Sequence, residues 1–379
     1  MNLFTSNTGS NYSEDIISIL RLIRSENVGP KTFFNLVKLF GSAKIALDNV
    51  ADFAKKGGRA KPIKIFAKSA AEKEIDLLVK HGANLITYKD NQYSELLKQT
   101  SGFPPILSYK GDISLLNSRK NVAIVGARNS SINSRSFAGN IAKDLVSNDF
   151  VTVSGLARGV DTAVHQASTR RTIAVIAGGI DHIYPLENKK LFETIAQEGL
   201  IIAELPVGSS PLAQHFPQRN RIIAGMSVAT VVIEAGLKSG SLITANFALD
   251  FNREVFAVPG FPLDPRCMGS NKLIKDGAYL LESSEDLIEN IPSFEKMQKS
   301  LFENSDNNNF DFPAGVGNMN IANSDRKLIL ESLSSSPVSI EQITSETNLP
   351  LSVIYVICLE LELAGRVMRQ AGNKISLIY

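Results

Sequence analysis

The sequence predicts an α/β protein with a doubly wound, mostly parallel sheet in its middle, a helical region before it and a small winged-helix-like region after it. Three observations carry this reading. Short Val/Ile runs alternate with helix-period stretches between about residues 121 and 289. An Asn-, Asp- and Gly-rich stretch over residues 303–323 interrupts all apolar periodicity. The remaining residues, from 324 to 379, are long enough for one further small domain. The expected organisation is a helical SAM-like or helix-hairpin-helix-like domain over 1–90, a Rossmann-like domain over 91–295, a flexible linker over 296–323 and a winged-helix-like domain over 324–379.

In the head, Asp15–Leu22 and Lys31–Phe40 both place apolar residues at helical spacing. Asn27-Val28-Gly29-Pro30 joins them, with Pro30 suited to the first turn of the second helix. Two readings fit. As a helix-hairpin-helix, the N–H groups of the turn and Lys31 would face a DNA phosphate. As a plain helical hairpin, the pair would pack in a bundle.

Tyr93–Gly111, which contains Pro104-Pro105, reads as an extended connector. Six apolar runs follow: Val122–Val125, Val151–Val153, Ile173–Ile176, Leu200–Ile202, Thr230–Ile233 and Val255–Val258. Helix-period stretches lie among them at Arg135–Val146, Val160–Ala167, Lys189–Gln197 and Leu242–Phe251. Near-continuous β-branched runs separated by helices describe parallel strands buried on both faces. Such a sheet binds its ligands at the carboxyl ends of its strands. Beyond the linker, Ile329, Leu330 and Leu333 start a helix. Ser339 is placed to cap a second, and Ser352–Leu363 forms a third. Gly365–Arg369 and Asn373–Leu377 then read as a hairpin, completing a winged helix. The third helix carries Glu360 and Glu362 and no base, so protein contact or packing suits it better than a DNA groove.

Composition narrows the function. Apolar residues make up 44% and charged residues 21%, which excludes a disordered chain. No stretch approaches about 18 uninterrupted apolar residues, so no membrane partner is expected. The polar start, Met1–Glu14, lacks the apolar centre of a signal peptide. Cys267 and Cys358 stand far apart with no C-x-x-C pair. A disulfide framework or zinc site is not expected, and a reducing cytoplasm is. Residues 1–100 carry 15 Lys/Arg and 10 Asp/Glu, residues 101–290 carry 18 of each, and residues 291–379 carry 7 and 10. With no net charge in the middle region, nucleic-acid binding there must rest on local clusters.

The sheet's loops supply such clusters. The first strand ends in Gly126-Ala127-Arg128-Asn129-Ser130-Ser131, and the second in Ser154-Gly155-Leu156-Ala157-Arg158-Gly159. The third ends in Gly178-Gly179, and the fifth in Glu234-Ala235-Gly236-Leu237-Lys238-Ser239-Gly240-Ser241. Glycine lets backbone approach a ligand, and the helix N-termini that follow offer N–H groups to an anion. Arg128, Arg158 and Lys238 add cations on the same edge. Neither G-x-G-x-x-G nor a Walker A sequence is present, so no NAD or ATP cofactor is expected. A second cluster, His215-Phe216-Pro217-Gln218-Arg219-Asn220-Arg221, sets an aromatic ring beside two arginines. That pairing suits a stacked base and its phosphate. Asp161 and His165 stand one helical turn apart without a third metal ligand, and no G-x-S-x-G elbow occurs. No catalytic residue is assigned.

These segments, in this order, resemble the DNA-processing protein A (DprA/Smf) family. The resemblance rests on Gly126-Ala127-Arg128-x-x-Ser131, on Ser154-Gly155-x-Ala157-x-Gly159-x-Asp161-x-x-x-His165, and on Ile183-Tyr184-Pro185-x-Glu187-Asn188. It rests further on Phe216-Pro217-x-Arg219-Asn220-Arg221-Ile222-Ile223-Ala224-Gly225 and Ser239-Gly240-Ser241-x-x-Thr244-Ala245. It covers residues 93–290 strongly and the two ends more weakly. The resemblance implies a homodimer that binds single-stranded DNA and loads the RecA recombinase in natural transformation. Arg128 would line a phosphate pocket, Phe216 would contact a base, and Ser239–Thr244 would offer donors to phosphate. The candidate DNA-binding residues are Gly126, Arg128, Ser131, Ser154, Gly155, Arg158, Gly159, Phe216, Arg219, Asn220, Arg221, Lys238, Ser239, Gly240, Ser241 and Thr244. The alternatives are a nucleotide phosphoribohydrolase-like enzyme, whose Pro-Gly-Gly-x-Gly-Thr segment is not matched at Gly178-Gly179-Ile180-Asp181, and an adaptor whose Rossmann-like core only dimerises.

Overall fold

The computed structural model describes residues 13–291, 321–370 and 373–378. Apart from its last three residues, the linker expected over 296–323 lies outside the described residues. The chain divides into two compact units, Glu74–Asn308 and, joined together, Met1–Lys73 with Asn309–Tyr379, as far as their described residues go.

The larger unit is a nine-stranded sheet: β1 (Asn84–Thr87), β2 (Ile106–Gly111), β3 (Asn121–Val125), β4 (Val151–Ser154), β5 (Thr172–Gly179), β6 (Leu200–Leu205), β7 (Ala229–Val232), β8 (Glu254–Ala257) and β9 (Tyr279–Leu280). Its order is β1-β2-β6-β5-β4-β3-β7-β8-β9. From β6 to β9 every pairing is parallel. The six apolar runs of the sequence are β3 to β8. Strands β3, β4, β5 and β7 are buried along their whole length because helices cover both faces. Tyr93–Gly111 is more than a connector: Ile106–Gly111 pairs antiparallel with β6 and carries β1 on its outer side. Pro104-Pro105 stops short of that strand, so neither proline removes a ladder donor.

In the smaller unit's head stand α1 (Glu14–Ile23), α2 (Pro30–Phe40) and α3 (Ala43–Lys56). Next, α4 (Lys68–Lys80) carries the boundary between the units, and α5 (Glu95–Lys98) begins the second. The sheet's helices are α6 (Ile132–Ser147), α7 (Val160–Ala167), α8 (Lys189–Glu198), α9 (His215–Gly225), α10 (Gly240–Asp250), α11 (Met268–Lys275) and α12 (Ser284–Asn290). Helices α6, α7 and α12 send Ile141, Leu145, Val160, Val164 and Leu287 into the core on one face. Helices α9, α10 and α11 send Ile222, Ile223, Ala245 and Leu273 into the other. The chain steps outward from β3 through β4 and β5 to β6, then returns to place β7 on the opposite side of β3. The carboxyl ends of β3 and β7 therefore flank the point where the winding reverses, the place where sheets of this kind bind ligands.

The C-terminal residues form α13 (Asn323–Ser332), α14 (Ile340–Thr347), α15 (Leu351–Leu363) and a small sheet of β10 (Val338–Ser339), β12 (Lys374–Leu377) and β11 (Val367–Gln370). Ser339 caps α14 in a reciprocal box with Gln342. Helix α15 is buried around its circumference from Ile354 to Leu361 and packs on α3. Asn27 in the α1–α2 turn donates to the Leu363 carbonyl at 3.1 Å, and Thr32 donates to Glu362 at 3.2 Å. Asn27 of that turn and Thr32 of α2 are thus engaged by α15. Helix α15 itself is enclosed, in keeping with the packing role that its acidic residues suggest. No described helix is long and apolar enough to cross a membrane.

Candidate nucleic-acid interface

The loop after β3 is fastened by the end of β7. Glu234, only 2% exposed, stands two residues beyond the end of that strand. Its carboxylate accepts from the Ser131 backbone N–H at 3.3 Å, the Ser131 hydroxyl at 2.9 Å and the Ser134 hydroxyl at 2.6 Å. Its carbonyl accepts from the Ala127 N–H at 2.7 Å. Ser131 also caps α6, accepting from the Ser134 N–H at 3.1 Å. The third wall is Gly159, at φ +79°, where an added Cβ would strike the Ala127 carbonyl. Pinned this way, the loop directs Arg128 outward, its guanidinium carbon 4.9 Å from the centre of the Phe216 ring. Phe216 lies in the first turn of α9 and meets Tyr184 edge to face at 5.7 Å. The exposed cation–π contact is worth about 0.5–1 kcal/mol, enough to orient both groups without fixing them.

Beneath this pair sits a buried network. Arg219, one turn after Phe216, is 6% exposed and points inward. It donates to the Gly155 carbonyl at 2.7 Å, to the Val175 carbonyl and to Asn220 at 3.1 Å. A Cβ on Gly155 would run into the same guanidinium. Asp161 accepts from the Gly155 and Ala157 N–H groups at 3.1 and 3.3 Å, holding the β4 loop closed. Burial raises the Asp161 carboxyl above its usual range and lowers Arg219 to about 10, desolvation outweighing their mutual attraction. His165 pairs its Nδ1 with the Thr172 hydroxyl at 2.8 Å, and burial lowers its pKa to about 3.

The sixteen candidates therefore divide. Arg128, Phe216, Arg158, Lys238 and Gly240 are at the surface of the carboxyl edge, and Ser239 caps α10 with its hydroxyl 2.7 Å from that of Ser241. Asn220 joins α9 to the α10 N-terminus by donating to the Gly240 carbonyl at 3.2 Å. Arg221 is directed to Glu204, and Arg158 is ion-paired with Glu187. Gly126 is a packing position, since a Cβ there would collide with Val160. Ser154, Gly155, Arg219, Ser241 and Thr244 are corrected from direct contacts to supports: all are buried, and Ser154 donates to the Ile124 carbonyl at 2.7 Å. Ser131 is likewise held by Glu234. Sequence reasoning did not assign a role to Glu234 or Tyr184. The signal for Glu234 was an acid closing an otherwise apolar strand. Among the described residues, no group of three His, Cys, Asp or Glu side chains is disposed to hold a metal ion.

An exposed cation beside a half-buried ring, over loops that lead into the N-termini of α6 and α10, is suited to take a phosphate and stack a base. Comparison with known proteins agrees in kind. The family model described as DNA recombination-mediator protein A matches residues 84–292. A DprA-like N-terminal HHH domain matches residues 13–76, and a DprA winged helix domain matches residues 320–373. DNA processing protein DprA of Bacillus subtilis is 43% identical over 214 residues, 56% of this chain and 72% of that protein. Protein Smf of Synechocystis is 36% identical over 320 residues, 76% of this chain and 79% of that protein. The crystal structure of DNA processing protein A from Streptococcus pneumoniae aligns with a TM-score of 0.61 at 32% identity, over 73% of this chain and 97% of that one. A Helicobacter pylori DNA processing protein A structure, described for its unique single-stranded DNA binding mode, aligns with a TM-score of 0.50 at 28% identity, over 57% and 96%.

Proposed function

The chain belongs to the DNA recombination-mediator protein A (DprA/Smf) family, and on that premise we propose that it binds single-stranded DNA at the carboxyl edge of its sheet. The observation that carries this reading is the Arg128–Phe216 pair, presented at the switch point on a loop fixed by Glu234. Arg128 meets a phosphate and Phe216 stacks the adjoining base. The single-stranded DNA binding mode described for the Helicobacter pylori relative supports the same assignment. The protein acts by binding, needing neither ATP nor metal. Asp161, His165 and Glu234, the buried ionisable groups along this edge, each hold backbone or hydroxyl partners, which favours support over catalysis. In its full role it works in the cytoplasm as a homodimer, protecting incoming DNA and passing it to the RecA recombinase during transformation.

The test is fluorescence anisotropy of labelled single- and double-stranded oligonucleotides across a salt series, for the wild type and Arg128→Ala. Expected is tighter binding of the single strand, weakening with salt by about 0.7 in the logarithmic slope per phosphate held. Arg128→Ala is expected to lose about tenfold in affinity, equivalent to about 1.4 kcal/mol. Equal affinity for both strands, or an unaffected variant, would overturn the assignment.

A further inference from the structure

We propose that the bound strand continues beyond the Arg128–Phe216 pair along the groove between α6 and α7, where Arg135 and Lys143 hold its phosphates. This rests on the single-stranded DNA reading above and extends it along the surface.

The groove encloses about 730 Å³, and its lining includes Arg128, Arg135, Lys143 and Arg158 but no carboxylate. The unit around it has as many acids as bases over residues 101–290, so this is a local segregation of charge and not a spill-over from a basic protein. Helix α6 presents positions 135, 139 and 143 on one face, at successive i, i+4 spacings. The middle position is Gly139. A Cβ there would stand 3.8 Å from the Ala163 carbonyl and the Ala167 methyl of α7. Small residues thus keep the floor low, and the two bases rise from its ends. Along the axis Arg135 and Lys143 are eight residues apart, about 12 Å at about 1.5 Å per residue. That span matches about three stacked nucleotides at about 3.4 Å each.

Intramolecular pairing does not account for these bases. Lys143 is exposed and has no ion-pair partner among the described residues. Its neighbour Asp144 is turned towards α12, accepting from the Ser284 hydroxyl at 3.0 Å. Arg135 donates with one amino group to the Ser130 carbonyl at 2.6 Å, which bends the guanidinium back towards the Arg128 loop and keeps the track continuous. Arg158, on the facing wall, pairs with Glu187, and both are 61% exposed, so an arriving phosphate competes only with a solvent-screened partner. Asn140 and Gln166 add neutral donors. No aromatic residue lines the groove. The phosphates are therefore gripped here and the bases are not, in contrast to the Phe216 end.

The experiment measures affinity for oligothymidines of increasing length across a salt series, for the wild type, Lys143→Gln and Arg135→Gln/Lys143→Gln. Wild-type affinity should go on rising with length after the double variant has levelled off. For the longest oligonucleotide the salt slope should fall by about 0.7 in the single variant and about 1.4 in the double one. The shortest oligonucleotide that binds should not distinguish Lys143→Gln from the wild type. Abasic substitution in the added nucleotides should leave the length effect intact. Identical slopes and length dependence in all three proteins would overturn the groove assignment while leaving the Arg128 site standing. Loss of the length effect on abasic substitution would also overturn it. Absence of binding at every length, wild type included, would remove the single-stranded DNA reading and the groove with it. Because Arg135 also bonds the Ser130 carbonyl, the Lys143 single variant keeps the test independent of any disturbance to that loop.

Discussion

Arg128 and Arg219 show what a sequence can and cannot say about a single side chain. Both sit in segments that look built for phosphate, yet Arg128 is directed out over Phe216 and Arg219 into the carbonyls of Gly155 and Val175. The helical phase of α9 separates Phe216 from Arg219 by one turn. Which of them meets the core depends on a neighbouring loop that no local pattern contains. His165 was legible as the partner of Asp161 one helical turn away, without a third metal ligand and suited to a structural hydrogen bond, and it makes one with Thr172. Its consequence is a pH dependence. The ring is neutral in the folded protein, with its pKa lowered by burial from 6.5 to about 3. Below about pH 6.5 the unfolded chain binds the proton and the folded one does not. This contribution is therefore present in full above pH 6.5 and is lost as the pH falls towards 3. At about 1.36 kcal/mol per unit, the window is worth on the order of 4 kcal/mol. Urea unfolding at pH 7 and pH 4.5 should show a marked loss for the wild type and a much smaller one for His165→Gln. Asp161, whose carboxyl is raised by burial, acts in the opposite sense above its ordinary value and is retained in both proteins.

At the scale of elements, the six central strands were legible because burial on both faces leaves an unbroken apolar run. The edge strands β1 and β2 were not, since Ile106–Gly111 fades from buried to exposed along its length and is preceded by two prolines. The loops were legible as glycine-bearing turns, but not the tie between them. Glu234 follows β7 in sequence and serves the β3 loop in function, because strands β3 and β7 are neighbours only after the crossover. Removing it should be felt twice. Glu234→Ala leaves the Ser131 and Ser134 donors without their buried acceptor, at a cost of about 1–3 kcal/mol. It should also weaken single-strand binding although Arg128 is untouched. Chemical denaturation and anisotropy on the same preparation check this, and a variant that loses stability but keeps wild-type affinity would separate Glu234 from the site.

On the scale of the molecule, the two ends of the chain were legible as helical head and winged helix, but their joining was not. Helix α15 looks like a groove-reading helix by position and like a core helix by composition, and composition prevails: apolar residues from Ile354 to Leu361 leave no free face once α3 packs on it. The uneven charge along the chain misdirects in the same way. The head carries the excess of bases, while the carboxyl edge within residues 101–290, which have no net charge, carries the exposed arginines beside an aromatic ring. The central claim, that the single strand lies on that edge, is tested most directly by photocrosslinking. An oligothymidine carrying 5-iodouracil is irradiated on the full-length protein, and the modified peptides are identified by mass spectrometry. The expected adducts fall on Phe216 and Tyr184. Adducts confined to α1–α3 or α13–α15, with none on the sheet's carboxyl edge, would contradict the assignment.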